Sequence, residues 1–265
     1  MRGAGVVRMV GASAALGSRL PDRLRLAWFY VRCALSVVLR VPRPSPTTAV
    51  VRGLERRVVI GDGGELAVLR HVVAERAYVP DARDPSVIVD AGANAGFATL
   101  YFKHRYPDAR VIAVEADPRT YARLVENVEG VPGVETYHAA VAGSSGTMSF
   151  FCSTDSSICS SLTRRSDTDE EVTVNAMTLE TLLEAAGVER VDLLKLDVEG
   201  AEADVLPTAP LDRIDEIIAE LHYDDPRVTA ASIRGLLEPQ FDVEIDDDPG
   251  APFGVMHARR VTQHR

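Results

Sequence analysis

The chain has 265 residues, enough for one large domain or two small ones. Its 46% hydrophobic and 26% charged content excludes a wholly disordered, collagen-like or disulfide-framed protein, and the three cysteines, Cys33, Cys152 and Cys159, form no CxxC pair and fit a reducing compartment. The net charge of −10 is uneven: eight arginines against Asp22 give residues 1–43 a charge of +7, so the remainder is an acidic body poorly matched to nucleic acid.

Residues 1–23 are rich in Gly, Ala, Ser and Arg and show no clear period. Leu24 to Val41 is apolar except for Arg25, Arg32, Ser36 and Arg40, which fall on one narrow helical strip. Pro42, Pro44 and Pro46 then end the helix and stiffen a linker. Residues 1–46 therefore read as a basic extension and 47–265 as the main domain. A spanning helix would be at the minimum length with Arg32 near its middle, and a secretory signal would lack its A-x-A cleavage site. The favoured alternatives are an amphipathic helix packed on the domain, or one lying on a membrane surface through residues 24–41 of a cytoplasmic protein.

Val58 to Arg70 reads as a hairpin turning at Gly61-Asp62-Gly63-Gly64. From Ser86 the pattern becomes regular. Val87-Ile88-Val89 is a buried strand ending at Asp90, followed by a helix over Phe97–His104. Arg110–Val114 is a second strand ending at Glu115, and Pro118 opens a helix to Val128. Glu135–Ala140 is a third strand and Thr147–Phe151 a small additional one. Ser153–Glu171 is a polar loop, Val172–Val174 a short strand and Leu179–Ala186 a helix. A strand over Val191–Leu196 ends at Asp197, with a helix over Ala201–Leu206 after it. Ile214–Leu221, a helix over Val228–Leu237, and an antiparallel hairpin from Phe241–Ile245 and Gly254–Ala258 complete the chain.

Strands alternating with helices predict an α/β fold, a parallel sheet with helices on both faces. Ligands of such sheets bind beyond the carboxyl ends of the strands. That singles out Asp90–Gly96, Glu115, Ala139-Ala140, Asp197–Glu202 and Glu220–His222. In Asp90-Ala91-Gly92-Ala93-Asn94-Ala95-Gly96 the glycines permit a tight turn close to a ligand, and Asn94 tolerates the left-handed conformation. Glu115, at the end of the next strand, suits the two hydroxyls of a ribose. NAD and S-adenosylmethionine both fit this pairing. The dinucleotide fingerprint fails at Asn94 and Phe97, and the acids Asp90, Glu115 and Asp197 favour a cationic ligand without phosphate.

Four segments together resemble the FkbM-type methyltransferases: Asp90–Gly96, Glu115-Ala116-Asp117-Pro118, the helix start at Thr178-Leu179, and Leu194-Lys195-Leu196-Asp197-Val198-Glu199-Gly200-Ala201-Glu202. The likeness spans about residues 54–222, with the proline after Glu115 one position later than is common in the family. It implies a Rossmann-like class I methyltransferase domain over 47–265, with a mostly parallel seven-stranded sheet and a C-terminal antiparallel hairpin. The implied activity is S-adenosylmethionine-dependent O-methylation of a hydroxyl on a sugar, glycolipid or secondary metabolite. Gly92, Asn94 and Gly96 would then hold the methionine part, with Asp90 beside them. Glu115 would hold the ribose and Ala140 border the adenine. Asp197 would face the methionine amine or the incoming hydroxyl.

His222, following Glu220 at a strand end, is the candidate base, with Asp197 and Glu199 beside it. The histidines at 71, 104, 138, 257 and 264 lack a comparable acidic setting in the sequence, and His138 reads as structural. Asp197, Glu199, Glu220 and His222 also make a donor set for a divalent metal, if the fold brings them together. Ser156–Ser161 reads as a substrate lid, with no nucleophile elbow around it. The competing readings are a non-catalytic methyltransferase-like binding module and an NAD-linked oxidoreductase.

Overall fold

The computed structural model describes residues 3–81, 84–153, 160–162, 164, 166–246 and 253–261. The chain opens with two helices, α1 (Gly3–Leu16) and α2 (Leu20–Leu39), then a two-stranded hairpin, β1 (Thr47–Val51) and β2 (Arg56–Ile60). Helix α3 (Gly63–Arg70) runs into a π-helical turn over His71–Glu75. The alternating part follows: β3 (Val87–Ala91), α4 (Phe97–Arg105), β4 (Arg110–Glu115), α5 (Pro118–Val128) and β5 (Val134–His138). A small three-stranded sheet comes next, from β6 (Ala140–Val141), β7 (Gly146–Cys152) and β8 (Glu170–Met177). After α6 (Leu179–Ala185) come β9 (Leu193–Leu196), α7 (Glu202–Val205), β10 (Glu216–His222), α8 (Ala230–Leu237), β11 (Phe241–Asp246) and β12 (Phe253–Arg260).

The main sheet has seven strands in the order β11-β12-β10-β9-β3-β4-β5. Strands β10, β9, β3, β4 and β5 are parallel, and β12 runs antiparallel between β10 and β11. This is the expected fold, closed by the expected hairpin. Strand alternation divides the core between the two faces. Val89, Ile112 and Leu194 join the core that includes Leu182, Val205 and Leu237. Ile88, Val111 and Leu193 join the core that includes Leu66, Phe97 and Leu124.

Two local expectations are corrected. Gly61-Asp62-Gly63-Gly64 is not a hairpin turn: the hairpin lies one strand earlier, and Asp62 caps α3 by accepting from the Glu65 amide at 2.9 Å. An Asp-Gly pair serves equally as a turn and as a helix start. The 3.6-residue spacing of the buried Leu66, Leu69 and Val72 decides for the helix. Residues 3–16, which show no sequence period, are helical because α1 packs against α2 and α3, and packing rather than propensity stabilises it.

Helix α2 starts earlier than expected and lies on the domain by one face. Leu26 and Phe29 enter the core beside Ala49 and Leu66. The buried Asp22 accepts from the Val50 amide at 3.2 Å, which pins the helix to β1. Ser36 is buried, with its hydroxyl on the Cys33 carbonyl, whereas Arg25, Arg32 and Arg40 are exposed. The polar strip is thus the margin of the packed face.

Asn127 on α5 joins the hairpin to the loop before α4. Its side chain accepts from the Val59 amide at 2.7 Å and donates to the Val59 and Ala95 carbonyls at 3.0 and 2.8 Å. Asn127→Ala would leave buried backbone groups unpaired and is expected to cost about 2–4 kcal/mol in urea denaturation. A cost below about 1 kcal/mol would show that this tie is dispensable.

Candidate active site

The loop after β3 is shaped by what touches it. Gly92 has φ +78°, and a Cβ there would sit 1.7 Å from the Asp197 carbonyl oxygen. The loops after β3 and β9 therefore lie in direct contact, as adjacent parallel strands require. Gly96 has φ +85°, with Leu124 2.7 Å from where its Cβ would be. Asn94 takes a left-handed φ of 51° and turns its amide onto Glu115 Oε2 at 2.9 Å. The Asp117 amide donates to Glu115 Oε1 at 2.8 Å. Burial pushes the Glu115 carboxyl up to about 7, although both amides favour its charged form.

These loops border an open cavity lined among others by Gly92, Glu115, Ala140, Phe150, Asp197 and Glu199. The lining combines apolar side chains such as Phe150 and Leu162 with the carboxylates of Glu115, Asp197 and Glu199. Ser160 also lines it, its hydroxyl donating to Asp117 Oδ2 at 2.9 Å. Ser156–Cys159, the rest of the expected lid apart from Ser161, lie outside the described residues. Asp90, Asn94 and Gly96 do not line the cavity. The fully buried Asp90 instead accepts from Thr99 Oγ1 at 2.6 Å and faces Lys195 Nζ at 3.4 Å.

Lys195 organises the charge behind the cavity. Its Nζ donates to the Gly92 carbonyl at 2.7 Å and to Asp197 Oδ2 at 3.3 Å, and lies 5.1 Å from the Tyr78 ring centre. Burial alone would lower its pKa, but Asp197, Asp90 and Glu220 hold it above the usual lysine range. Tyr78 donates to Glu220, and its hydroxyl lies 3.4 Å from Asp197 Oδ2. Burial and the neighbouring acids push the phenol's pKa up, so it remains a donor. Glu220 also meets His71 Nε2 at 3.2 Å. Burial would raise the Glu220 pKa, but the hydrogen bonds from His71 and Tyr78 hold it below the ordinary range. Burial and the charge of Glu220 raise Asp197.

His222 joins the cluster at the end of β10. Its Nδ1 donates to the buried Glu202 Oε1 at 2.8 Å, and its Nε2 lies 3.6 Å from Glu199 Oε2. Burial disfavours the imidazolium, but Glu202 and Glu199 outweigh it and raise the pKa to about 9. His222 is thus a cation at neutral pH, not the neutral base that its residue type suggests. Glu199 has a left-handed φ of 54°, sparsely populated for a non-glycine residue and tolerated here at the cavity wall.

The structure brings Gly92, Glu115, Ala140, Asp197 and Glu199 to one cavity and sets His222 behind it. For a metal, ligand atoms of Asp197, Glu220 and His222 come within 4.8 Å of one another, while Glu199 falls outside that trio. The Lys195 and Tyr78 contacts already engage two of those carboxylates. Tyr78, Thr99 and His71 were not singled out by the sequence, and the expectation that His71 lacks acidic partners is wrong. Glu75 meets its Nδ1 at 2.9 Å and Glu220 its Nε2, the latter 149 residues away along the chain. His138 is structural as expected, stacking on Tyr121 at 4.6 Å and bonding the Ala116 carbonyl.

The sequence profile described as "Methyltransferase FkbM domain" matches residues 90–243. "Methyltransferase 1" of Beauveria bassiana is 31% identical over 69% of this chain and 83% of its own length. "Hexuronic acid methyltransferase AglP" of Haloferax volcanii is 30% identical over 67% of this chain and 75% of its own. "31-O-demethyl-FK506 methyltransferase FkbM" of Streptomyces tacrolimicus is 26% identical over 76% and 92% respectively.

The contact between the two loops is testable with a pair of glycines. Gly130 has φ +68° with open space around its Cβ position, so Gly130→Ala is expected to cost about 1–2 kcal/mol. Gly92→Ala adds a collision with backbone to the same conformational strain and should cost clearly more in urea denaturation. Equal costs would show that the loop after β3 moves freely away from Asp197.

Proposed function

The chain belongs to the FkbM methyltransferase family, and from that premise we propose that it is an S-adenosylmethionine-dependent O-methyltransferase acting on a hydroxyl of a sugar, glycolipid or secondary metabolite. The observation that carries the reading is that one cavity has Glu115 on its wall and Asp197 beside it. The cavity suits a cationic, phosphate-free nucleoside. Asp197 Oδ1 is buried without a hydrogen-bond partner, and Asp90, Asp197 and Glu220 outnumber Lys195. Pyrophosphate would meet those same carboxylates, and the Asn94 amide that could receive it is bound to Glu115. The relative named for a hexuronic acid supports a sugar acceptor.

When bound, S-adenosylmethionine supplies an electrophilic methyl group on a sulfonium. Glu115 would receive the ribose hydroxyls, and Phe150 and Ala140 would flank the adenine. Asp197 Oδ1 would face the methionine ammonium or the acceptor. The apolar lining residues, Phe150 and Leu162 among them, would help exclude water from the transfer. Transfer would form an oxygen–methyl bond at the acceptor with S-adenosylhomocysteine as the leaving group, and would release the hydroxyl proton. His222 lies behind the cavity with its Nε2 3.6 Å from Glu199 on the lining, and in its neutral form it would receive that proton. Glu202 orients its ring through Nδ1, and Glu202 and Glu199 together raise its pKa.

Labelled methyl transfer from S-adenosylmethionine to uronic acids and neutral sugars tests the reading. Methyl ether formed on a hydroxyl supports it, methylation confined to a carboxylate overturns the hydroxyl acceptor, and methylation confined to nitrogen overturns O-methylation altogether. The pH dependence follows from His222. A raised pKa means the competent neutral imidazole is scarce at pH 7 and grows as pH rises toward about 9. With saturating methyl donor, kcat/KM for the acceptor should climb about tenfold per pH unit and then level. The donor's positive charge should move that limb below 9. His222→Asn should remove the limb with most of the rate, whereas a flat profile in the parent enzyme would exclude His222 as the base.

A further inference from the structure

Helix α2 presents an uncovered apolar stripe to the outside. Leu24, Trp28, Leu35, Val38 and Leu39 are 45% to 68% exposed, and they share the face opposite Leu26 and Phe29, which enter the core. Arg25 and Arg32 border the stripe and are exposed, and Arg40 lies just past the helix end. Asp22, the one acid in residues 1–43, is buried on the inner face against Val50. Asp22 lies 3.7 Å from Arg25, whose guanidinium also donates to the Thr48 carbonyl at 2.9 Å, so the stripe offers hydrocarbon with Arg32 and Arg40 as its outward charges, while the rest of the chain is strongly acidic. No described helix is long and apolar enough to cross a membrane.

We propose that the outer face of α2 docks the chain onto an anionic bilayer surface. Leu24, Trp28, Leu35 and Leu39 enter the headgroup boundary, and Arg32 and Arg40 meet lipid phosphates. Tryptophan favours that boundary, where its ring is in contact with hydrocarbon and its N–H stays wet. A second copy of the chain fits the stripe poorly, because a two-fold contact would set the bordering arginines near their own counterparts. The acidic body opposes an anionic surface everywhere else, so charge alone orients the molecule with this end toward the lipid. The proposal does not depend on which group the enzyme methylates.

Trp28 is the sole tryptophan, so its fluorescence reports directly on the stripe. The full chain is mixed with vesicles of phosphatidylcholine plus phosphatidylglycerol, or of phosphatidylcholine alone, and followed by emission and flotation. The expected result is a blue shift and co-flotation with the anionic vesicles only, reversed by salt. The exposed double variant Leu24→Asp/Leu35→Asp should lose at least tenfold in partitioning with an unchanged melting temperature. Arg32→Glu should weaken binding without affecting the fold. Absence of binding to either vesicle, or undiminished binding by the double variant, overturns the proposal. So does a dimer in sedimentation that ignores vesicles and dissociates in the double variant, since a second copy would then cover the stripe.

Discussion

The buried ammonium of Lys195 is the constraint on which the site depends. It sits on the central strand β9, only 2% exposed, where a charge survives only with partners. Those partners come from each neighbouring element: Asp90 on β3, the Gly92 carbonyl in the following loop, Asp197 after β9 itself, and the charge of Glu220 on β10. One cation thus fixes the carboxyl ends of three adjacent strands. It also makes a dense group of acids tolerable. The acids outnumber it, and Asp197 Oδ1 lacks a hydrogen-bond partner, so the cluster as built can accommodate further positive charge. That surplus connects the fold to a cationic methyl donor.

Around this centre the chain spends conformational strain where two backbones must touch. Gly92 gives up its side chain to let the Asp197 carbonyl approach, and Asn94 adopts a left-handed turn that sends its amide to Glu115. Glu199 and Gly200 do the same on the facing loop, with φ of 54° and 100°. The surrounding sheet, with Ile88, Leu193 and Ile218 fully buried, supplies the rigidity that holds these turns. The second layer is equally specific. Glu202 orients His222, and Thr99 holds Asp90, two groups that lie behind the cavity.

Much of this was legible in the sequence, for local reasons. Val87–Val89 and Arg110–Val114 are short apolar runs ended by an acid, and Asp117-Pro118 and Thr178 mark helix starts by side-chain capping that the structure shows. The glycine loop and the acid on the next strand placed the cavity at the correct sheet edge. Three things were not legible. Tyr78 and His71 reach Glu220 across more than 140 residues, and no spacing rule spans that distance. Asp62-Gly63 fits a hairpin turn and a helix cap alike, and only the burial of Leu66 and Leu69 separates them. The charge of His222 depends on Glu202 being buried against it, which residue type does not reveal.

The central claim is that the Glu115–Asp197 cavity binds S-adenosylmethionine. Calorimetric titration of the full chain with S-adenosylmethionine, with NAD as comparison, tests it most directly, using Glu115→Gln beside the parent. The account predicts that S-adenosylmethionine binds and NAD does not, and that Glu115→Gln weakens binding by about tenfold or more while the protein stays folded. Binding of NAD, or an affinity for S-adenosylmethionine that Glu115→Gln leaves unchanged, would contradict it.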